Sequence, residues 1–106
     1  MFLALLKHFM PVPELTRFER YLFIGPHPDD IEVACAPTVR ALTQAGKHVS
    51  FVILTDGRMG AIDPNLFGDE LVEIRKQEAL TSAKLLGVTD VTFLPFHDGA
   101  MYAVED

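Results

Sequence analysis

Basic residues are scarce in this sequence, where nine lysines and arginines stand against fifteen aspartates and glutamates, for a formal net charge of −6. They also form no cluster along the chain. A protein that binds nucleic acid through its phosphates needs a basic face, so we expect no nucleic-acid partner. Cysteine is almost missing too, because Cys35 is the single one, and an intrachain disulfide is excluded. A reducing cytoplasm is the location that this composition favours.

Long apolar runs are also missing. Residues 1–10 are apolar, but ten residues cannot span a bilayer as a helix, so we expect no membrane partner. Lys7 lies inside this run, whereas a secretory signal carries its charge before the run and a small-residue cleavage site after it. We expect residues 1–19 to form an N-terminal arm or short helix that packs on the core or on a neighbouring subunit. A cleaved or membrane-touching segment is the alternative.

Five apolar or periodic segments alternate between strand and helix patterns. They are Tyr21–Ile24 (strand), Thr38–Ala45 (helix), His48–Leu54 (strand), Asp69–Leu86 (helix) and Val91–Leu94 (strand). Pro37 suits the first position of its helix, and Pro95 is expected to end the third strand. This order predicts an α/β fold with a Rossmann-like parallel sheet and flanking helices, in which the first strand is buried on both faces.

Three strands make a thin sheet, so residues 20–106 are predicted to be the first half of a larger domain. Open α/β sheets bind ligands beyond the carboxyl ends of their strands. The segments 25–32, 55–60 and 95–99 come at those ends and are rich in Gly, Asp and His. A nucleotide-binding Rossmann module is disfavoured, because neither Gly-x-Gly-x-x-Gly nor a Walker A sequence follows the first strand.

The segment Pro26-His27-Pro28-Asp29-Asp30 is the strongest candidate site. The imidazole of His27 and the carboxylate of Asp30 are both zinc ligands by type, and a bend at Pro28 would let them converge. Asp29, which is adjacent to a ligand but points elsewhere, is placed to take a proton from a metal-activated water. The structural alternative is that these residues simply begin a helix, with the acids favoured by its dipole.

An ordered set of motifs covers residues 20–100. It consists of Pro26-His27-Pro28-Asp29-Asp30-Ile31-Glu32, Thr55-Asp56-Gly57, Arg75-Lys76-Gln77-Glu78-Ala79, Leu86-Gly87-Val88 and Asp98-Gly99. In this the chain resembles the LmbE-like, or PIG-L-like, N-acetylglucosaminyl deacetylases. The resemblance implies a zinc-dependent hydrolase, with zinc or another divalent metal, that removes N-acetyl groups from a small amino-sugar derivative.

The same resemblance implies a role for each matching residue. His27 and Asp30 would be metal ligands, Asp29 the general base, and Arg75 and Asp98 substrate-binding residues. Arg75 could instead form a surface pair one helical turn along its helix, and Asp98 could be an ordinary turn residue. Thr55-Asp56-Gly57 would shape the pocket wall without doing chemistry.

Two departures from the family pattern bear on activity. Family members often carry glycines where this chain has Ala34-Cys35-Ala36-Pro37. The family's third metal ligand and an assisting histidine lie further downstream and have no counterpart here, so we expect an incomplete fragment with weak metal affinity and little or no turnover. His97 is the one histidine placed to compensate, although a lone histidine is usually an ordinary polar loop residue.

The rival to the enzyme is a non-catalytic Rossmann-like interaction domain that has lost the complete metal site. The unpaired edge of the third strand and the apolar arm favour self-association as a homo-oligomer.

Overall fold

The computed structural model describes residues 2–9, 14–58 and 68–98. Its elements are α1 (Phe2–Phe9), a 3₁₀ turn (Leu15–Arg17), β1 (Arg20–Gly25), α2 (Asp30–Gln44), β2 (His48–Thr55), α3 (Gly68–Leu85) and β3 (Asp90–Phe96). None of the described helices has the length and apolar character needed to cross a membrane. The division into an arm, 1–19, and a domain, 20–106, stays a prediction, although the arm does begin with a helix.

The three strands form one parallel sheet in the order β1-β2-β3. Tyr21 lies opposite Val49 and Phe51 lies opposite Val91, so the carboxyl ends of all three strands meet at one edge. The predicted α/β fold with a Rossmann-like parallel sheet is confirmed.

Both long helices cover the same face of the sheet. On α2 an apolar stripe at helical spacing, Ile31, Cys35, Val39 and Leu42, turns towards the strands. The core cluster joins this stripe to the other helix and to the strands; its buried members are Tyr21, Ile31, Val39, Leu42, Val49, Phe51, Ala83 and Val88. Gly46 and Gly87, both with positive φ, follow the ends of α2 and α3, a position at which glycine commonly ends a helix.

The first strand is not buried on both faces, as its apolar run suggests. Leu22 and Ile24 alternate with the buried residues of β1 and are 59% and 60% exposed. Within the described residues the helices cover only the opposite face, and the prediction is wrong for that reason.

The second helix begins eight residues earlier than predicted, at Asp30 instead of Thr38. Pro37 lies inside α2 and is exposed. A proline there removes one backbone hydrogen bond. Burial of Ile31 and Cys35 on the same helical stripe carries the helix through this site, so the loop after β1 shrinks to residues 26–29.

The third strand runs through Pro95 to Phe96 instead of ending at Leu94. Ile53 pairs with Phe93 and Thr55 with Phe96, which leaves one extra residue on β3. Pro95 falls in this bulge, where an N–H is not required for the ladder. The last predicted helix, in contrast, agrees with α3 to within one residue at each end.

Candidate active site

The loop after β1 is fastened to the end of β2 by Thr55. The buried Thr55 donates to the Pro26 carbonyl oxygen through both its backbone N–H, at 2.9 Å, and its hydroxyl, at 2.7 Å. Two bonds on one carbonyl fix the point from which the His27-Pro28-Asp29 turn departs. The candidate residues therefore start from a rigid part of the sheet edge.

His27 lies between two carboxylates. Its Nδ1 is 3.0 Å from Asp30 Oδ2, and its Nε2 is 2.9 Å from Asp98 Oδ1. The same Asp30 oxygen accepts the backbone N–H of His27 at 2.9 Å. The imidazole and the carboxylate at position 30 thus converge, as the metal hypothesis requires, and Asp98 joins them from the segment after β3.

The pKa of His27 is raised above its ordinary value. Burial acts to lower it, but the hydrogen bonds and charges of Asp30 and Asp98 outweigh burial. An imidazole with a carboxylate at each nitrogen is favoured in its protonated form. Binding a metal through either nitrogen would therefore displace a proton.

His27 and Asp30 suit a zinc ion in their chemistry and spacing. Two ligands of a tetrahedral zinc, each about 2.1 Å from the ion, stand about 3.4 Å apart. The Nδ1–Oδ2 distance of 3.0 Å is close to this value. Throughout 2–9, 14–58 and 68–98, however, no group of three or more His, Cys, Asp or Glu residues could hold a metal ion. The described residues thus offer a ligand pair, not a complete site.

Asp29 has a strained backbone. Its φ of 116° and ψ of −21° place it in the left-handed region, and it is the one such non-glycine residue among those described. It occupies the N-cap of α2 but makes no capping hydrogen bond with its side chain. A helix does begin here, as the structural alternative predicts, but the Asp29 carboxylate does not cap it. It is 63% exposed and turns towards Arg75 instead.

Arg75 reaches inward from α3. One terminal nitrogen, Nη2, donates to the Pro28 carbonyl at 2.7 Å and lies 3.3 Å from Asp29 Oδ2, while Nη1 donates to the Gly57 carbonyl at 3.3 Å. The side chain is only 16% exposed. This geometry matches the pocket hypothesis better than a surface pair, since Arg75 ties the loops after β1 and β2 together and holds Asp29.

Asp56 connects the segments that follow β2 and β3, a role that the sequence did not reveal. Its carboxylate accepts the backbone N–H groups of Arg58 and Asp98, both at 3.1 Å, and it also contacts the side chains of Arg58 and His97. His97, the candidate extra ligand, is thus engaged with Asp56. The one available signal was the position of Asp56 directly after β2, at the ligand-binding edge.

Among the described residues, cavities lie on either side of the Pro28-Asp29 turn. One of about 470 Å³ lies between the start of α2 and α3, and Asp29, Glu32, Arg75, Glu78 and Ser82 are among its lining residues. A second of about 350 Å³ is lined in part by Pro28, Asp56, Lys76, Phe93 and His97. Asp29 and Arg75 thus share the wall of an open space that a small ligand could enter.

Comparison with known proteins gives consistent matches. Residues 22–106 match the family PIG-L: GlcNAc-PI de-N-acetylase. A diacetylchitobiose deacetylase of Thermococcus kodakarensis is 40% identical over 76% of this chain and 30% of its own length. A 1D-myo-inositol 2-acetamido-2-deoxy-alpha-D-glucopyranoside deacetylase of Kineococcus radiotolerans is 36% identical over 83% of this chain and 26% of its own.

A solved structure agrees with these relatives. The N,N'-diacetylchitobiose deacetylase from Pyrococcus horikoshii, complexed with its inhibitor MPG, superposes with a TM-score of 0.77 at 37% identity, over 92% of this chain and 38% of that one. The chain spans about a third of the length of the relatives it matches. On the family match, the sequence identities and the shared fold, the chain belongs to the PIG-L GlcNAc-PI de-N-acetylase family.

Proposed function

We propose that this chain carries part of the active site of a metal-dependent hydrolase that removes an N-acetyl group from an amino-sugar-like substrate. The relatives named above are deacetylases by name. Because the chain spans about a third of their length, the activity of the whole protein is part of the proposal. The observation that carries it is the ligand pair: His27 Nδ1 and Asp30 Oδ2 lie 3.0 Å apart at the carboxyl edge of the sheet, beside a strained Asp29.

His27 and Asp30 are the residues that would hold the metal, with zinc as the proposed ion. A zinc ion bound there would polarise the acetyl carbonyl and increase the acidity of a water molecule. A third ligand from residues outside those described would complete the usual set of three.

Asp29 is the proposed general base. Its carboxylate is 63% exposed, follows the proposed ligand His27 by two positions, and lines the adjoining cavity. In the proposed step Asp29 accepts a proton from the water as the water oxygen bonds to the acetyl carbon. The C–N bond then breaks as the nitrogen takes up the proton that Asp29 accepted, so the amine leaves and acetate is released.

Arg75 and Asp98 position these groups and are the proposed substrate-binding residues, and Arg75 lines the cavity beside Asp29. Arg75 holds the Asp29 carboxylate in place, with Nη2 3.3 Å from Oδ2. Asp98, with its side chain only 15% exposed, holds Nε2 of His27. A carboxylate that accepts from the second nitrogen of a ligating histidine orients the ring and raises its basicity.

The proposal is tested by metal analysis of the full-length protein together with acetate release from N,N'-diacetylchitobiose. We expect bound zinc, and acetate release that falls sharply in Asp29→Ala while zinc content is retained. Asp90→Ala is the matched control, because Asp90 is an aspartate near the opposite, amino end of the sheet, where it accepts from Ser50 at 2.6 Å. Turnover like that of the wild type in Asp29→Ala would remove Asp29 from the base role.

A non-catalytic interaction domain is the second candidate. The observation in its favour is that the described residues bring together only two ligands of the expected kind. Titration with Zn²⁺ in a calorimeter separates the two. A folded protein that shows no saturable zinc binding, and for which His27→Ala changes nothing, would favour the interaction domain.

Three further expectations concern the partner, the cellular location and the oligomeric state. We propose a small acetylated sugar as the partner, a cytoplasmic location, and self-association through the exposed strand edge. Sedimentation of the purified protein over a concentration series tests the last of these.

A further inference from the structure

Asp56 connects the loops that follow β2 and β3. Its side chain is only 13% exposed, and both of its carboxylate oxygens are fully used. Oδ1 accepts the backbone N–H groups of Arg58 and Asp98, and Oδ2 lies 2.8 Å from Arg58 Nε and 2.9 Å from His97 Nδ1. The Asp56 backbone N–H also donates to the Phe96 carbonyl at 3.1 Å. Asp56 therefore holds the end of β3 at the point where the chain leaves the sheet.

The hydrogen bonds continue from Asp56 to the candidate metal pair. Asp98, whose backbone N–H is held by Asp56, places its own Oδ1 2.9 Å from His27 Nε2. His27 in turn contacts Asp30 through its other nitrogen. Asp56 touches neither His27 nor Asp30 in this set of hydrogen bonds, and its hydrogen-bonded connection to them passes through Asp98.

The charge of Asp56 fits a fixed anchor and not a proton carrier. Burial acts to raise its pKa, but the bonds from His97, the Asp98 N–H and Arg58 hold the pKa well below the ordinary range of a carboxyl. A carboxylate that accepts several N–H bonds stays ionised. At neutral pH Asp56 therefore presents a permanent acceptor to the Asp98 backbone.

We infer that Asp56 is a positioning residue of this site: by holding the Asp98 backbone it sets the orientation of the Asp98 carboxylate, and through that carboxylate the orientation of the His27 ring. The inference deepens the proposed function and rests on it for the effect on turnover. The expected effect on His27 does not depend on the proposed function, because the orientation of the His27 ring is a property of the protein without metal or substrate. Outer partners of this kind change metal affinity or activity by about 10- to 100-fold when they are removed.

The test compares Asp56→Ala, Asp98→Asn and Asp90→Ala with the wild type. The first readout is the ¹⁵N chemical shifts of the imidazole nitrogens in the protein without metal or substrate, with the His27 signals among the four histidines assigned from His27→Gln. We expect Asp56→Ala to change the ¹⁵N chemical shifts of the two His27 nitrogens, each in the same direction as Asp98→Asn changes it. Asp90→Ala, which removes a carboxylate that bridges the same two strands at their far end, should leave them in place.

The second readout is steady-state acetate release from N,N'-diacetylchitobiose. We expect Asp56→Ala to lower kcat by about 10- to 100-fold with little change in KM, because the residue orients the reacting groups and not the substrate. If the wild type releases no acetate but Asp56→Ala still moves the His27 signals, the proposed function fails and the positioning role stands. If the wild type is active and Asp56→Ala leaves the His27 signals unmoved in a folded protein, the positioning role is overturned.

Asp56→Asn keeps the inference decidable if Asp56→Ala does not fold. The carboxamide oxygen can still accept the Asp98 N–H, so the His27 signals should stay near those of the wild type. Signals displaced as far as in Asp98→Asn would contradict the proposed connection through that N–H.

Discussion

The strained backbone of Asp29 leads to a prediction whose sign is opposite to the usual rule. We consider Asp29→Gly and Asp29→Ala together. Both lose the carboxylate, its contact with Arg75 and any favourable interaction with the start of α2, so the difference between them isolates the backbone. At φ 116° and ψ −21° a Cβ is strained, whereas glycine adopts such angles freely.

The magnitude follows from two opposing contributions. Relief of a left-handed conformation is worth about 1–3 kcal/mol. The extra freedom of glycine in the unfolded chain removes about 0.4–1 kcal/mol of that gain. We therefore expect Asp29→Gly to be more stable than Asp29→Ala by about 1 kcal/mol, and both to release acetate far more slowly than the wild type.

Urea unfolding followed by circular dichroism measures this difference, because the midpoint moves while the slope is unchanged. The matched control is Ala41→Gly, at an exposed position inside the same helix. There glycine should be less stable than alanine by about 1 kcal/mol. If Asp29→Ala equals or exceeds Asp29→Gly in stability, position 29 is not strained, and backbone strain at the candidate base is refuted.

Three further predictions concern the loops around this turn. Arg75→Ala should lower the free energy of unfolding by about 1.5–3 kcal/mol, because the Pro28 and Gly57 carbonyls lose a charged donor, and Arg75→Lys should restore only part of it in urea unfolding. Gly57→Ala should lower the melting temperature more than Gly46→Ala, since both have positive φ but only at Gly57 would a Cβ lie 3.0 Å from Pro28 and 3.2 Å from Arg75; equal losses would contradict this. Because the pKa of Asp56 is lowered in the folded protein, its ionised carboxylate stabilises the fold above about pH 3.9, and this stabilisation is lost as the pH falls below that value. The free energy of unfolding should therefore fall less steeply with decreasing pH in Asp56→Asn than in the wild type. Parallel curves for the two proteins would count against this prediction.

Much of the architecture could be predicted from local patterns. Continuous apolar runs marked β1 and β2, and the periodic segment from Asp69 marked α3. The two errors of boundary both involve proline. At Pro37 and Pro95 the local rule ends an element, but burial of the stripe on α2 and a bulge on β3 carry the element past the proline. Packing on distant residues, which decides such cases, is not a local property.

The residues of the candidate site, like the elements of the fold, could be predicted only in part from the sequence. The ordered motifs suggested His27, Asp29 and Asp30, because zinc chemistry needs those residue types and parallel strands bring their carboxyl ends together. Asp56 was not identified as an anchor, since the partners that it joins to β2, His97 and Asp98, are 41 and 42 positions away along the chain.

The sequence by itself determined the residue types at the sheet edge, the alternation of strands and helices, and the family. Only the tertiary structure decided that His27 lies between two carboxylates, that Asp29 is held in a left-handed conformation, and that Asp56 holds Asp98 in place. The physical reason is how far apart along the chain the interacting residues lie. Secondary structure follows from neighbours within a few positions, whereas hydrogen bonds between loops depend on which strands the sheet places side by side.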